Sequence, residues 1–431
     1  MTRTSQTSSL APTAPSERID AMDVMRGFAL LGIFLLNIEF FTRPLQDINA
    51  AGIDSAARGL DYAVEWATYF FVQNKFWTLF ALLFGMGFTV MIDRADRAGR
   101  PFVLIYLRRT LALLAIGVLH AVLIWSGDIL LTYAIAALLL LVARQTRRAW
   151  RRWRDKAEPP PMSAAHLAQW GIALYAAPLL LLLAFGIRGT ARADLPLKPE
   201  RQAEIAASVA EDMAVRNRAE QAYGEGSYRQ AVDQRLQDTA AQVVSTFATM
   251  PWTLGIFLLG AAIVRSGALW NIRKHQGDFR RMRNWGLLAG FALMAISVQL
   301  GTATPTRIRL PGAFQLATLF MASLILALAY GATIVTFLDS RAGPWMKRWL
   351  APAGRMALTN YLLQSVVGTL LFYQYGLGLW GQVSRAWQFA LVIAVFALQL
   401  VFSRWWLSRF RFGPVEWLWR WATYGRRPAM R

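Results

Sequence analysis

The sequence predicts an all-α fold: a polytopic membrane helix bundle of about ten transmembrane helices, with both termini cytoplasmic. Three observations carry this. Of 431 residues, 56% are hydrophobic and only 16% charged, against about 25% charged in an ordinary soluble domain. The apolar residues gather into runs near the roughly 20 residues a helix needs to cross a bilayer. The cations alternate with those runs. A net charge of +21 would suggest nucleic acid only if it lay on one soluble face, so no nucleic-acid partner is expected.

The runs, in order, are 24–42, 76–92, 110–125, 128–143, 167–186, 248–264, 284–301, 312–338, 356–373 and 387–405. The third and fourth nearly touch and form a hairpin turning at Ser126-Gly127-Asp128. The stretch 60–75 is aromatic and amphipathic, and either extends the second span or lies in the interface. With the N-terminus inside, the inner loops carry 29 Lys and Arg and the outer loops 13. Eight of those 13 fall in 187–247, where nine acids offset them. This is the positive-inside pattern, and it turns the basic loops toward anionic lipid.

The expected organisation follows. Residues 1–16, rich in Ser, Thr and Pro, form a disordered tail. Residues 17–186 and 248–410 are transmembrane halves of five spans each. Residues 187–247 are an extracytoplasmic loop of two amphipathic helices, and 411–431 are a cytoplasmic tail. Trp125, Trp252 and Trp387 mark outer ends, and Trp285, Trp405 and Trp406 inner ones. The first run lacks a small-residue cleavage site and reads as a retained helix.

Thiol chemistry is excluded, because the chain has no Cys. Three His (His120, His166, His275) are too few for a His-rich metal site, and no metal is expected. Polar groups inside the spans are the functional candidates, since burial in lipid is costly. Arg26 and Asn37 lie eleven residues apart on the first span, about 16 Å along one face, and Asp23 can pair with Arg26. The alternative for Arg26 is that it snorkels to the headgroups. His120 follows Arg109 by the same eleven residues, and Asp128 just past the turn can orient its imidazole. A carboxylate-backed His suits a general base or nucleophile; the alternative is a packing hydrogen bond between helices. Gln73, Asn74 and Lys75 are candidates to join Asn37, Glu39, His120 and Asp128 in an outer polar vestibule. Asn360 and Gln364 share a face one turn apart, where interhelical bonding is the plainer account. Gly376-Leu-Gly-Leu-Trp-Gly381 follows no strand and does not support a dinucleotide fold.

Several segments together resemble a known family. They are Arg18-Ile-Asp-Ala-Met-Asp-Val-Met-Arg-Gly-Phe, Lys75-Phe-Trp-Thr-Leu-Phe, His120 to Leu130, Pro251-Trp-Thr-Leu-Gly, Gly354-Arg-Met-Ala-Leu-Thr-Asn-Tyr-Leu-Leu-Gln-Ser365 and Phe412-Gly-Pro-Val-Glu-Trp-Leu-Trp-Arg420. The likeness is to the YeiB-like bacterial inner-membrane proteins, a family of unknown function, over roughly 17–425. That family is distantly similar to transmembrane acyltransferases of the heparan-α-glucosaminide N-acetyltransferase type. They share Asp-x-x-Arg-Gly followed by Asn, matched by Asp23, Arg26, Gly27 and Asn37. Their active-site His follows that Asn in the next loop, where this chain has Ile48. His120 then has to take over the role, or the chemistry is absent.

The resemblance implies a multi-pass protein of the bacterial cytoplasmic membrane that moves an acyl group from cytoplasmic acyl-CoA to an extracytoplasmic hydroxyl or amine. Arg26, Arg108, Arg109 and Arg355 would hold the coenzyme A diphosphate. His120 and Asp128 would do the chemistry, and Asn37 would stabilise the oxyanion. Glu39, Lys75, Asn360 and Gln364 are candidate substrate contacts. No tightly bound cofactor is expected; acetyl-CoA is the donor substrate. The expected partners are the lipid bilayer, a small-molecule acceptor or cell-envelope glycan, and a second copy in a homodimer. The alternative functions are a transporter or exporter of a small solute and a scaffold that binds through 187–247.

Overall fold

The computed structural model describes residues 19–44, 53, 57–97, 102–154, 161–193, 196, 198–301 and 309–431. The expected tail 1–16 and Ile48 lie outside them. No strand occurs among the described residues. In chain order the helices are α1 Asp20–Asn37, α2 Gly59–Ala67, α3 Lys75–Arg97, α4 Phe102–Leu123, α5 Leu130–Trp153, α6 Ala164–Ala191 and α7 Pro199–Glu220. They continue with α8 Tyr228–Arg265, α9 Gln276–Gln299, α10 Leu310–Leu338, α11 Gly343–Arg355, α12 Ala357–Phe372, α13 Arg385–Leu407 and α14 Pro414–Tyr424.

Eight of these segments are long and apolar enough to cross a bilayer, and the chain is a helical membrane protein. The other two expected spans are also helices, but they depart from that rule. α9 opens with Asp278, Arg280, Arg281 and Arg283. α12 has only 16 residues, about 24 Å of helix, and is enclosed by α1, α11 and α14. The aromatic stretch 60–75 is neither a straight extension nor a single helix. α2 runs on through a wide turn at Thr68–Val72, and the chain then breaks at Asn74, whose φ is +61°.

The loop 187–247 contains the two expected helices, yet the second is continuous with the following span. A capping box at Ser227 and Gln230 starts α8, which then runs for 38 residues, about 57 Å. Its first turns therefore project beyond a hydrocarbon core of about 30 Å. The tail 411–431 also folds, because Gly413-Pro414 starts α14.

Small residues set the crossings, as is usual where lipid gives helices no hydrophobic reason to associate. A Cβ at Gly27 would collide with the Leu350 backbone, and one at Gly354 with the Asp23 backbone. These two glycines press α1 against α11. Gly85 and Gly260 do the same for α3 and α8. Trp285, Trp387 and Trp405 are exposed toward the surroundings, as a lipid belt requires. Trp125 is not part of that belt. It is 2% exposed and packs on Phe41, ring centroids 4.4 Å apart.

Candidate functional site

The hairpin between α4 and α5 sets His120 against Asp128. His120 closes α4, and Asp128 sits in the turn that returns the chain. Gly117, one turn before His120, makes room: a Cβ there would lie 3.1 Å from Asp128 Oδ1. His120 Nδ1 is 2.5 Å from Asp128 Oδ2. Asp128 Oδ1 accepts the Leu131 backbone N–H at 2.7 Å, and Gln242 donates to the Asp128 carbonyl. In the tautomer whose Nδ1–H donates to Asp128, Nε2 carries the lone pair. Nε2 is buried and has no hydrogen-bond partner among the described residues. A buried nitrogen left so is costly in a purely structural role.

Beside this pair ends a cavity of about 330 Å³, within the range of small-ligand sites. Along α3 its wall runs from Phe80 to Arg94, about 21 Å of helix. Six arginines line it: Arg26, Arg94, Arg109, Arg355, Arg411 and Arg420. Among the described residues only two carboxylates, Asp23 and Glu416, do so. The close α1–α11 crossing brings Asp23, Arg26 and Arg355 to one wall, with Arg26 Nη1 2.9 Å from Asp23 Oδ1. The Arg109 guanidinium lies 3.7 Å from the Trp419 ring centre, and Trp419 Nε1 donates to the Arg109 carbonyl at 2.8 Å. At the far end stand Ile129, Leu130, Tyr133 and Tyr361. The rings of Tyr361 and His120 are 5.2 Å apart.

Glu416 secures the wall from α14. Its Oε1 accepts the backbone N–H of Leu358 at 2.7 Å and of Thr359 at 3.0 Å, and its Oε2 accepts the Thr359 hydroxyl. The first free amides of α12 thus find their acceptor on another helix. Burial pushes the Glu416 carboxyl above the ordinary glutamate range, and the Thr359 hydrogen bonds work against that rise.

The structure brings together only some of the sequence candidates. Arg26, Arg109 and Arg355 line one cavity. His120 and Asp128 are not in its lining; they lie behind Ile129, Leu130 and Tyr361, which form its deep end. Arg108 is exposed beside Gly425, because α4 starts at Phe102 and turns residue 108 outward. Asn37 is outside the lining, since α1 contributes to the wall only as far as Ile33. Glu39 is held by Arg43 and by Arg385, the latter at 3.0 Å. Lys75 is fully buried and donates to the Tyr69 carbonyl at 2.8 Å. The outer vestibule of Gln73 to Lys75 with His120 therefore does not form. Asn360 donates to Ser403 and Gln364 to Gln399, each at 2.9 Å. Those two belong to a seam between α12 and α13, away from the cavity.

Residues 263–426 match a family model described as a protein of unknown function, DUF418. The chain is 35% identical to the uncharacterized protein YxaH of Bacillus subtilis (strain 168), with 97% of each covered. It is 32% identical to the uncharacterized protein YeiB of Escherichia coli (strain K12), over 94% of this chain and 96% of the relative. This chain belongs to the YeiB-like DUF418 family. A third relative, an uncharacterized 39.9 kDa protein of Bacillus acidopullulyticus, is 27% identical over 96% of both chains. The DUF418 match includes Arg355, Tyr361, Glu416, Trp419 and Arg420, so the second half of the cavity wall lies inside the DUF418 region.

Sequence reasoning missed Arg94, Tyr361, Arg411, Glu416, Trp419 and Arg420. The signal for four of them was present in 411–420, where a Glu and a Trp among cations follow a helix-starting Gly-Pro.

Proposed function

We propose that this protein is a transmembrane acyltransferase of the bacterial inner membrane, with both termini in the cytoplasm. It would move an acyl group from cytoplasmic acyl-CoA to an extracytoplasmic hydroxyl or amine. One observation carries the reading: a cavity lined by six arginines ends at Tyr361, whose ring packs on a carboxylate-backed His just behind the wall, and the Nε2 of that His has no partner among the described residues. Arginine clusters suit phosphate groups. A long apolar-walled cavity suits the arm that joins those phosphates to a thioester.

The chemistry balances with residues of this chain. His120 Nε2 takes the proton of the acceptor hydroxyl or amine while its O or N attacks the thioester carbonyl. The new bond to carbon forms and the C–S bond breaks. The imidazolium returns the proton to the departing thiolate, giving the acylated acceptor and free CoA. Asp128 holds the ring and stabilises its charged form.

The test is release of free CoA thiol from acetyl-CoA in proteoliposomes with a cell-envelope fraction as acceptor. The chain has no Cys, so it adds no thiol of its own, and the thiols of the envelope fraction are subtracted with protein-free liposomes. Release by the wild type and none by His120→Ala supports the reading. Equal release by both removes His120, and a wild type that neither binds nor consumes acetyl-CoA removes the whole reading.

A further inference from the structure

Acyl transfer through a tetrahedral intermediate needs a donor for the oxyanion. Asn37 is off the cavity, so that donor lies elsewhere. We infer that the Tyr361 hydroxyl supplies it; this rests on the acyltransferase reading. Tyr361 lines the deep end of the cavity and is also in ring contact with His120. Trp125 also contacts His120, but neither it nor His120 lines that wall, so Tyr361 is the residue that joins the His120 ring to the cavity.

Two buried lining tyrosines keep a free hydroxyl proton, Tyr361 and Tyr106, whose Oη has no partner among the described residues; of the two, Tyr361 is the one in ring contact with His120. Tyr133 Oη donates to the Trp77 carbonyl at 3.2 Å, so its proton is spent. Thr110 Oγ1 donates to the Tyr106 carbonyl. Tyr361 Oη instead accepts, from the backbone N–H of Ile129 at 3.3 Å. Its own proton remains for a ligand, and accepting a hydrogen bond polarises the O–H and strengthens it as a donor. The same Ile129 follows Asp128, so one turn fixes both the His120 ring and the Tyr361 oxygen.

In the reaction the thioester oxygen gains negative charge as the acceptor adds to carbon. Tyr361 donates to that oxygen without giving up its proton. When the C–S bond breaks, the carbonyl re-forms, and the His120 proton goes to the thiolate. Tyr361 is therefore a catalytic residue for charge stabilisation, and the ring keeps its place throughout.

The experiment measures CoA release by Tyr361→Phe over a range of acetyl-CoA concentrations. Loss of one oxyanion donor lowers kcat by about 10²–10³-fold, and KM for acetyl-CoA should be unchanged; the thermal midpoint should fall modestly, because the Ile129 N–H loses its acceptor. The pH profile of the residual rate should keep the wild-type shape, since His120 is intact. Fluorotyrosine at 361 retains the hydroxyl and should retain turnover. A Tyr361→Phe kcat within about threefold of wild type, or a loss confined to KM, overturns the inference and leaves His120 standing. A wild type that releases no CoA overturns both it and the acyltransferase reading.

Discussion

Glu416 on the last helix accepts hydrogen bonds from both the backbone N–H and the hydroxyl of Thr359 at the start of α12. Glu416→Ala would leave the Leu358 and Thr359 amides buried without an acceptor, at about 1–3 kcal/mol for an unsatisfied group. Its thermal midpoint in detergent should fall clearly. Glu416→Gln keeps a carbonyl oxygen for those amides and should match the wild type or exceed it at neutral pH.

The pH dependence has a definite sign. Burial raises the folded Glu416 pKa above its unfolded value. The stabilising contribution of its protonated form is then complete below the unfolded pKa and lost as pH rises through the folded one. Wild-type stability should decline over that window relative to Glu416→Gln. Parallel midpoint-against-pH curves for the two proteins would refute this.

His120 and Asp128 should behave as one unit. Asp128→Asn changes the tautomer the ring prefers and should lower CoA release by about 10²–10⁴-fold. His120→Ala should also destabilise the fold, because it strands a buried carboxylate. Adding Asp128→Asn to His120→Ala should recover stability and no activity. Thermal midpoints of the three variants, read beside their CoA release, make the comparison. Additive stability losses would show that the pair is not coupled.

The arginines divide by position on their helices. Arg109 and Arg420 face the cavity, whereas Arg108 points away from it. A charge-assisted hydrogen bond is worth about 1.5–3 kcal/mol, or about 10–100-fold in affinity. Arg109→Ala and Arg420→Ala should weaken acetyl-CoA binding by that factor, and more so at low salt. Arg108→Ala should bind within about twofold of wild type. Equal losses at 108 and 109 would argue for a diffuse surface field in place of a lined site.

The sequence carried those parts of the site that are close along the chain. Asp23 and Arg26 meet because three residues make one turn, and Asp128 reaches His120 because Ser126-Gly127 turns the chain between them. Lipid also makes spans legible, since each must satisfy its own backbone. Arg108 was harder to judge, because which of two adjacent arginines faces inward depends on the helix phase. Tyr361 was not legible at all. A tyrosine in an apolar helix looks like any packing residue until α12 is set against α4. The sequence offers Asn360 and Gln364 as candidate substrate contacts with interhelical bonding as the plainer account, and it is the bonding that is observed, to Ser403 and Gln399 on α13. The sequence marks residues 411–431 only as a tail, yet α14 forms there and Glu416, Trp419, Arg420 and Tyr424 line the cavity.

Gly27 and Gly354 give the last prediction, since they decide how closely α1 approaches α11. A methyl group at either would collide with backbone, not with a side chain that can turn aside. Overpacking of this kind costs about 1–3 kcal/mol, and separating the helices would also pull Arg26 away from Arg355. Gly354→Ala should therefore lower both the thermal midpoint and acetyl-CoA affinity. Gly286→Ala provides the comparison. Its Cβ would lie 2.9 Å from the Ala329 Cβ, between α9 and α10 and away from the cavity. It should lower the midpoint alone. If Gly354→Ala loses stability yet binds acetyl-CoA as the wild type does, the α1–α11 crossing does not hold the arginine wall in place.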